Sequence, residues 1–212
     1  MNPIIKMRNQ KAGQTLVAAL QKRNFDAYYC DSKEDALKQA LELIPASAVV
    51  SWGGTMSAAE IGLLDAVKER NIVIDRDTAS SPEERMELMR KALLCDTFIM
   101  GTNAVSEDGQ LVNIDGMGNR CAALVFGPKN VIVICGINKL TKTVEDAYTR
   151  AHTLAAPLNI QRFPALKTPC SVTGTCADCK SPDCICCDVV TTRFCKPAKR
   201  IKVIVVGESL GL

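Results

Sequence analysis

Short apolar runs alternate with segments of helical periodicity along most of this chain, and that alternation constrains the fold more than any other feature. Two of the runs, Phe98–Gly101 and Val131–Cys135, are continuously apolar and bounded by glycine, as buried parallel strands are. Strands separated by helices in this order predict an α/β fold with a mainly parallel sheet and helices on both faces. The predicted strands lie at residues 25–30, 48–52, 71–75, 98–101, 131–135 and 201–206, and the predicted helices at about 5–23, 33–44, 57–68 and 82–94.

One segment departs from the alternation. Residues 103–113 contain two short runs joined through Asp108-Gly109, a pair typical of a β-hairpin turn. We expect a hairpin inside the otherwise parallel sheet, where it marks a site or an edge. Because Ile201–Val206 is again an apolar strand, the cysteine-rich segment before it is predicted to be an excursion anchored at both ends.

The length of 212 residues fits one domain with a cysteine-rich excursion, since domains mostly contain about 100–200 residues. A composition of 47% hydrophobic and 23% charged residues is that of a globular protein with a sizeable core. The net charge is only +3 and aromatic residues make up 4% of the chain, so neither a basic stripe nor stacking aromatics indicate nucleic-acid binding. We expect a single domain over residues 1–212 and no nucleic-acid partner.

Six of the eleven cysteines lie between Cys170 and Cys187, in a segment too short to hide them. The first ten residues contain no apolar stretch of signal-peptide length, and no apolar run approaches the roughly 18 residues of a membrane span. We therefore expect a cytoplasmic protein without a membrane span. A disulfide framework is disfavoured in a reducing compartment, so the clustered thiols predict a bound soft metal.

A tight strand-to-helix turn at residues 51–57 predicts one part of a ligand site. The strand runs into Gly53 and Gly54, and Thr55 and Ser57 place hydroxyl groups at the start of the next helix. Free N–H groups and a positive helix end at the carboxyl edge of a sheet favour a carboxylate or phosphate. The alternative is that the glycines only form the turn and the hydroxyls only cap the helix.

The loop at residues 112–120 predicts the other part of the site. It combines Asn113, Asp115 and Asn119 with the flexible Gly118 and with Arg120, whose planar guanidinium suits a carboxylate or phosphate. The alternative is a tight turn in which Asn113 and Asp115 bind backbone groups and Arg120 pairs with Asp115.

Lys139 and His152 are two further polar residues that could belong to a site. Lys139 follows the strand at 131–135 closely and is a ligand-binding candidate at its carboxyl end, although a surface lysine is the alternative. His152, the one histidine, has no cysteine or serine near it in sequence, so a surface or half-buried position is expected. Four cysteines in or beside apolar elements are interpreted as core residues: Cys30, Cys95, Cys121 and Cys135.

The run from Thr102 to Arg120, with residues 126–129, 136–139 and 51–55, closely resembles the LUD-domain family, to which the lactate-utilisation protein C proteins belong. The resemblance covers nearly the whole chain. It implies a fold similar to ribose-5-phosphate isomerase, glucosamine-6-phosphate deaminase and the CoA transferases. Family members work beside iron–sulfur proteins in oxidising lactate to pyruvate, but the family supplies no assigned catalytic residues to carry over.

The segment Ser106–Gly109 is similar to the loop in which class I CoA transferases keep their nucleophilic glutamate. By that comparison Glu107 is a candidate nucleophile, which would need to face a pocket. The alternative is an exposed residue beside a hairpin turn.

The cysteine segment, residues 169–195, also resembles a subset of this family. That pattern implies Cys170, Cys176, Cys179 and Cys186 as metal ligands, with the spacing C-x5-C-x2-C-x6-C. Cys184 and Cys187 depart from the pattern and are expected to lie outside the site, although either could replace one of the four ligands. Cys195 is a further candidate.

Four thiolates can hold a tetrahedral zinc ion or an iron–sulfur cluster. Structural zinc commonly uses two C-x2-C pairs, whereas the four ligands implied by the resemblance include only one, Cys176 and Cys179, so a four-iron four-sulfur cluster is favoured over zinc. A cysteine loop without metal remains the third alternative.

The leading functional hypothesis is a lactate-utilisation-type accessory or redox protein. It would bind a small carboxylate or phosphate-bearing ligand beside an iron–sulfur cluster and act with a flavin or iron–sulfur partner. The second hypothesis is a free-standing isomerase or acyl-CoA-transferase-like enzyme that uses Glu107 or Asp115 and a structural zinc. The third is a sensor or scaffold whose cysteine loop responds to metal or oxidation.

Overall fold

The computed structural model describes residues 2–212, and a six-stranded sheet lies at its centre. Every neighbouring pair of strands in this sheet is parallel. The mainly parallel α/β fold predicted from the sequence is therefore confirmed. In spatial order the strands are β1 (Asp26–Cys30), β10 (Ile201–Val206), β7 (Asn130–Gly136), β4 (Thr97–Gly101), β2 (Val49–Trp52) and β3 (Ile72–Ile74).

Helices cover both faces of this sheet. Successive strand residues point to opposite sides, so each face contributes to a core of its own. Phe98 and Met100 of β4 pack into one core cluster, and Ile99 between them packs into the other. The first cluster lies under α1 (Pro3–Lys22), α5 (Pro82–Ala92) and α6 (Asn119–Val125). The second lies under α2 (Lys33–Leu43), α3 (Met56–Glu60) and α4 (Leu63–Arg70).

The predicted hairpin is present, but it belongs to a second sheet and not to the parallel one. This four-stranded sheet has the order β8 (Leu140–Thr141), β5 (Ala104–Ser106), β6 (Leu111–Asp115) and β9 (Asp188–Thr192). The hydroxyl of Thr102 lies 3.0 Å from the Ala104 carbonyl and 3.2 Å from that of Val112, and so fixes the bend between β4 and β5. β9 was not predicted; it pairs antiparallel with β6 and anchors the cysteine segment.

One long helical stretch packs on the second sheet. It consists of α7 (Val144–Arg150), a π-helical turn at Ala151–Ala155 and α8 (Ala156–Ile160). Ala147 and Ala151 share a small core with residues of β5 and β6, and Cys186 packs against that core. Two short 3-10 turns, Arg76–Thr78 and Ile137–Lys139, and the one-turn helix α9 (Pro169–Thr173) complete the described helices. None of the helices within residues 2–212 is long and apolar enough to span a membrane.

The prediction of one continuous helix over residues 57–68 is wrong. The chain forms two helices here, α3 and α4, which are separated at Gly62, whose φ of 75° lies in the left-handed region. That backbone conformation costs glycine little and cannot continue a right-handed helix. The turn redirects the chain so that Ala58 and Leu63 both reach the same core.

The Asp108-Gly109 turn of the hairpin docks against the end of α1. Gly109 has a φ of 86°, and a Cβ atom there would lie 2.8 Å from the backbone nitrogen of Leu20. The guanidinium of Arg23 pairs with the Asp108 carboxylate, and its Nε donates to the Asp108 carbonyl at 2.6 Å. Turn geometry and docking together therefore require glycine at position 109.

Replacing Gly109 with Ala should lower the free energy of unfolding by more than replacing Gly62. Gly62→Ala isolates the cost of a positive φ, about 1–3 kcal/mol, because a Cβ there meets only the flexible Leu37 side chain at 3.9 Å. Gly109→Ala adds overlap with the α1 backbone. Urea unfolding followed by the fluorescence of the buried Trp52 measures both losses. Equal losses would contradict the tight docking of the turn.

Candidate functional site

A cavity of about 550 Å³ opens where three neighbouring strands of the parallel sheet end. Gly54 follows β2, Gly101 ends β4 and Lys139 follows β7, and all three residues line it. Ligands of open α/β sheets bind at this carboxyl edge. We call this the carboxyl-edge cavity.

Four cationic side chains and two carboxylates line the carboxyl-edge cavity. Both carboxylates already accept hydrogen bonds from the backbone: Asp115 from Arg120 at 2.8 Å and Cys121 at 3.0 Å, and Asp183 from Lys167 at 2.8 Å. Four cations against two carboxylates leave an excess of positive charge, which is reduced but not removed by Asp77, because this residue outside the cavity lining pairs with Arg85 at 2.8 Å. The cations are Arg76, Arg85, Arg120 and Lys139.

Arg120 lies on the same side of the sheet as the paired glycines. A Cβ atom at Gly53 would lie 2.9 Å from Cγ of Arg120, so the stem of the arginine needs glycine at that position. Its Nη2 donates to Oδ1 of Asn103 at 3.0 Å and to the carbonyl of Ile114. The turn at residues 51–57 and the loop at 112–120 therefore meet through Arg120.

Arg76 was missed by the sequence analysis. Its Nη2 would lie 3.4 Å from a Cβ atom at Gly54, and its buried Nε has no hydrogen-bond partner among residues 2–212. Burial lowers the pKa of Arg76, but an arginine stays protonated at any ordinary pH. Arg76 therefore brings a poorly solvated positive charge to the cavity. Its position directly after the predicted strand at 71–75 was the available signal.

Lys139 is only 4% exposed, and its Nζ donates to Oγ of Ser57 at 3.0 Å. Within the described part of the chain it forms no ion pair with a carboxylate. Burial, reinforced by the charges of Arg150 and Arg120, lowers the pKa of Lys139 to about 8, against an opposing effect of Cys135. The site thus holds a desolvated amine that titrates near neutral pH.

Three of the ten predicted ligand-binding residues do not line the carboxyl-edge cavity. Gly53 lies beneath Arg120, and Gly118 starts α6 with a φ of 73° beside Asp188. Asn113 is fully buried, and both polar atoms of its side chain are without a hydrogen-bond partner among residues 2–212. Seven residues do line it: Gly54, Thr55, Ser57, Asp115, Asn119, Arg120 and Lys139.

The two hydroxyl residues of the turn have different roles. Oγ1 of Thr55 accepts a hydrogen bond from the Ala58 N–H at 3.3 Å and caps α3. This is the role that the alternative interpretation of the turn predicted. Ser57 is instead committed to Lys139. Asp115 also acts as a cap, since its carboxylate binds the first N–H groups of α6 and not the guanidinium of Arg120.

A second, smaller cavity of about 60 Å³ is lined by five cysteines and by His152. The five include all four thiols that the family pattern implied as ligands. Cys184 also lines it, contrary to the expectation that it would lie outside. We call this the thiol cavity, and its cysteines are Cys170, Cys176, Cys179, Cys184 and Cys186.

The other two candidate ligands lie elsewhere. Cys187 lines the carboxyl-edge cavity. Cys195 is 1% exposed in the main core, where its Sγ donates to the Pro197 carbonyl at 3.2 Å. The cysteines interpreted as core residues are also buried free thiols: Cys30, Cys95, Cys121 and Cys135.

No three His, Cys, Asp or Glu side chains of residues 2–212 are arranged to hold a metal ion as they stand. The thiols of the cavity nevertheless crowd one another. Burial, together with the neighbouring Cys184, Cys170 and Cys176, raises the pKa of Cys186 to about 12. Uncompensated thiolates are disfavoured at such a place, whereas a soft cation would stabilise them.

His152 lies in the π-helical turn and lines the thiol cavity. Its ring packs on Tyr148 with a centroid separation of 4.3 Å, and its Nε2 is buried without a hydrogen-bond partner among the described residues. No local pattern connects this histidine with cysteines 18 or more positions away, so only the fold reveals the proximity. Single π turns inside α-helices are frequent at functional sites.

The two cavities share a wall. Cys184 and Ile185 line both of them. A Cβ atom at Gly116 would lie 3.2 Å from Cα of Ile185, so the loop at 112–120 and the cysteine segment are in close contact. A ligand in the carboxyl-edge cavity would therefore lie against the cysteine segment.

Glu107 does not line either cavity. It is exposed beside the hairpin turn, and its carboxylate pairs with Lys142. Turn chemistry and docking on α1 account for the Ser106–Gly109 segment.

The free energy of unfolding of the wild-type protein should rise between about pH 8 and 10, and replacing Lys139 with Met should remove this rise. The pKa of Lys139 falls from 10.5 to about 8 on folding, so the unfolded chain binds more protons in this interval and stability rises with pH. Across this interval the free energy of unfolding of the wild type should rise by about 2–3 kcal/mol more than that of Lys139→Met. Urea unfolding at a series of pH values measures it, with the exposed Lys38→Met variant as the control that keeps the rise. Parallel pH profiles for wild type and Lys139→Met would contradict a buried, unpaired amine.

Comparison with known proteins identifies the family of this chain. The model of the LUD domain family matches residues 13–206. Among solved structures, a DUF162 family protein from Deinococcus radiodurans aligns over 93% of this chain and 98% of its own, with a TM-score of 0.53 and 13% identity. No curated protein matched significantly.

Two further structures align with only part of the chain. eIF2B delta from Chaetomium thermophilum aligns over 53% of this chain and 49% of its own, at 19% identity and a TM-score of 0.35. Ribose 5-phosphate isomerase from Plasmodium falciparum aligns over 52% of both chains, at 16% identity and a TM-score of 0.33. The family match spans most of the chain, and the protein therefore belongs to the LUD domain family, as a lactate-utilisation-type protein.

Proposed function

We propose that this protein binds a small carboxylate or phosphate-bearing anion in the carboxyl-edge cavity and carries an iron–sulfur cluster in the adjacent thiol cavity. It then acts in the cytoplasm as an accessory or redox component of a lactate-utilisation-type system. The observation that carries the proposal is the wall of Cys184 and Ile185 that the two cavities share.

The anion half of the proposal is supported by unbalanced charge. Four cations and two carboxylates line the carboxyl-edge cavity, and Asp77, which does not line it, pairs with Arg85 at 2.8 Å and with Arg76 at 4.0 Å, so positive charge still exceeds negative charge by one. Buried charges are costly unless paired, and an anion within about 4 Å of such a group gains about 4 kcal/mol at an effective dielectric constant near 20. Arg76, whose buried Nε forms no hydrogen bond within residues 2–212 and has only Asp77 there as an ion-pair partner, with Oδ1 at 4.0 Å, is the strongest single attractor.

The metal half of the proposal is supported by the donor set. Five thiols from different parts of the segment line one cavity, which is chemistry suited to zinc or iron–sulfur clusters. Cys170, Cys176, Cys179 and Cys186 would be the ligands, with Cys184 as the fifth thiol on the side of the anion. Binding requires these thiols to draw together, which the mostly irregular segment between α9 and β9 permits because it has little core of its own. His152 could donate a hydrogen bond to the sulfur atoms through Nε2.

A cluster supplies one-electron transfer, and the remaining work falls to residues of this chain. Arg76, Arg120 and Lys139 bind and orient the anion, and the cysteine segment excludes water from one side. Oxidation of lactate removes two electrons, so further centres in a flavin or iron–sulfur partner would be needed. The protein is then a component of a larger system and not a complete dehydrogenase.

The free-standing enzyme with a structural zinc loses support from the placement of its acids. Glu107 is exposed and paired, and the carboxylate of Asp115 caps α6. Neither is free to act as acid, base or nucleophile in the cavity. Zinc itself remains an outcome that metal analysis separates from iron.

Replacing Arg76 with Gln should weaken anion binding about tenfold or more, because a charged hydrogen bond contributes about 1.5–3 kcal/mol. Isothermal titration with lactate, pyruvate and inorganic phosphate measures the change. The matched control is Arg90→Gln, an exposed arginine on α5 that does not line the cavity. Equal affinities in the two variants would remove Arg76 from the site, and no binding of any probe to wild type would end the anion proposal.

Anaerobically purified protein should be brown and contain about four iron and four sulfide per chain. Cys179→Ser should lose most of the metal, because Cys179 belongs to the one C-x2-C pair among the four proposed ligands, whereas Cys187→Ser should retain it because Cys187 does not line the thiol cavity. A visible spectrum and elemental analysis give both results. One zinc per colourless chain would replace the cluster while keeping the ligands, and full metal content in Cys179→Ser would refute the ligand set.

A further inference from the structure

We propose that Lys139 is a nucleophile that forms an imine with an anionic carbonyl compound bound in the carboxyl-edge cavity. This inference rests on the anion site of the proposed function and adds a covalent role to it. The chemistry identifies the ligand class as a carbonyl compound that carries a carboxylate or phosphate, such as a 2-oxo acid or a phosphorylated aldehyde.

The surroundings of Lys139 favour a neutral amine. Its Nζ contacts the uncharged Ser57 hydroxyl at 3.0 Å and forms no ion pair among residues 2–212. The cations Arg120 and Arg150 act on it, as do the thiol of Cys135 and the carboxylate of Glu60. Glu60 is engaged elsewhere, since its oxygens accept from the Gly211 N–H at 3.1 and 3.2 Å.

The guanidinium of Arg150 is likewise committed to backbone groups. Its guanidinium donates to the carbonyl groups of Asn138 at 3.2 Å and of Asn103 at 2.6 Å. A buried lysine with no counter-charge loses its proton readily and becomes nucleophilic, and this is how enzymes prepare a lysine for imine formation. Burial lowers the pKa of Lys139 to about 8, which leaves an appreciable neutral fraction at neutral pH.

Ser57 is placed to carry the protons of the reaction. The lone pair of Nζ attacks the carbonyl carbon, the carbonyl π bond breaks, and the oxygen takes up a proton to give a carbinolamine. Loss of the nitrogen proton and of the hydroxyl group as water then forms the C=N bond. No oxidant or reductant is needed. The hydroxyl of Ser57, hydrogen-bonded to Nζ, can accept one proton and donate another.

The arginines explain why the carbonyl compound must be anionic. Arg76 and Arg120 line the same cavity as Lys139 and can hold a carboxylate or phosphate while the carbonyl group faces the amine. Such positioning raises the effective concentration of the carbonyl at one amine far above that at exposed lysines. Selectivity for Lys139 should therefore depend on the negative charge of the ligand.

The test is reductive trapping with cyanoborohydride, read by peptide mass mapping of the wild-type chain. One arm uses pyruvate, the second glyceraldehyde 3-phosphate, and the third acetone as a neutral control. We expect modification of Lys139 to exceed that of any other lysine by about tenfold or more in at least one anionic arm, and no such selectivity with acetone. The arm that succeeds distinguishes a 2-oxo acid from a phosphorylated carbonyl.

Two further measurements keep the outcomes distinct. Lys38→Met, in which an exposed lysine is removed, should retain the Lys139 adduct, whereas Lys139→Met should lose it. Absence of selective labelling in both anionic arms overturns the imine. If isothermal titration then shows that pyruvate or phosphate still binds, the anion site of the proposed function stands; if neither binds, that site falls with the imine.

Discussion

Burial of the parallel sheet on both faces is the constraint on which the rest of the structure depends. The inward residues of β4, β7 and β10 are almost all apolar because helices cover each side. Few polar side chains therefore lie along these strands, and most of the charged groups of the site lie where the strands end. Arg76, Lys139 and the Gly53-Gly54 turn all follow strands at this carboxyl edge. The fold thereby concentrates positive charge at one place without needing any long-range charge pattern in the sequence.

The position of β6 between β5 and β9 brings the second set of chemical groups to the same edge. β6 is followed by a short turn and by α6, which carries Arg120, and β9 is preceded by the clustered cysteines. Antiparallel pairing of Asp115 with Asp188 places those two segments side by side. One strand pairing thus explains why the mostly irregular segment between α9 and β9 forms a wall of the carboxyl-edge cavity. It also explains why Cys184 and Ile185 face both cavities.

The sequence predicted the elements that have strong local patterns and missed those that depend on distant partners. Apolar runs located the six parallel strands, and Asp108-Gly109 located the hairpin. The left-handed turn at Gly62 was missed because helical spacing continues through it. β9 was missed because its exposed residues alternate weakly and it exists through pairing with β6. The relation of His152 to the thiols depends on a π turn and on tertiary packing, which no local pattern encodes.

The positive charge of the cavity and the reactivity of Lys139 act against each other. Burial, reinforced by repulsion from Arg150 and Arg120, lowers the pKa of Lys139, so an anion placed directly beside Nζ would raise that pKa again and reduce the neutral, nucleophilic fraction. At an effective dielectric constant near 20, a charge at about 4 Å contributes about 4 kcal/mol, and about half of that at twice the distance. An anionic group farther from Nζ therefore leaves more of the amine neutral. A phosphorylated carbonyl compound, whose charge is separated from the carbonyl carbon, would lower the reactivity of Lys139 less than a 2-oxo acid, whose carboxylate is bonded to that carbon.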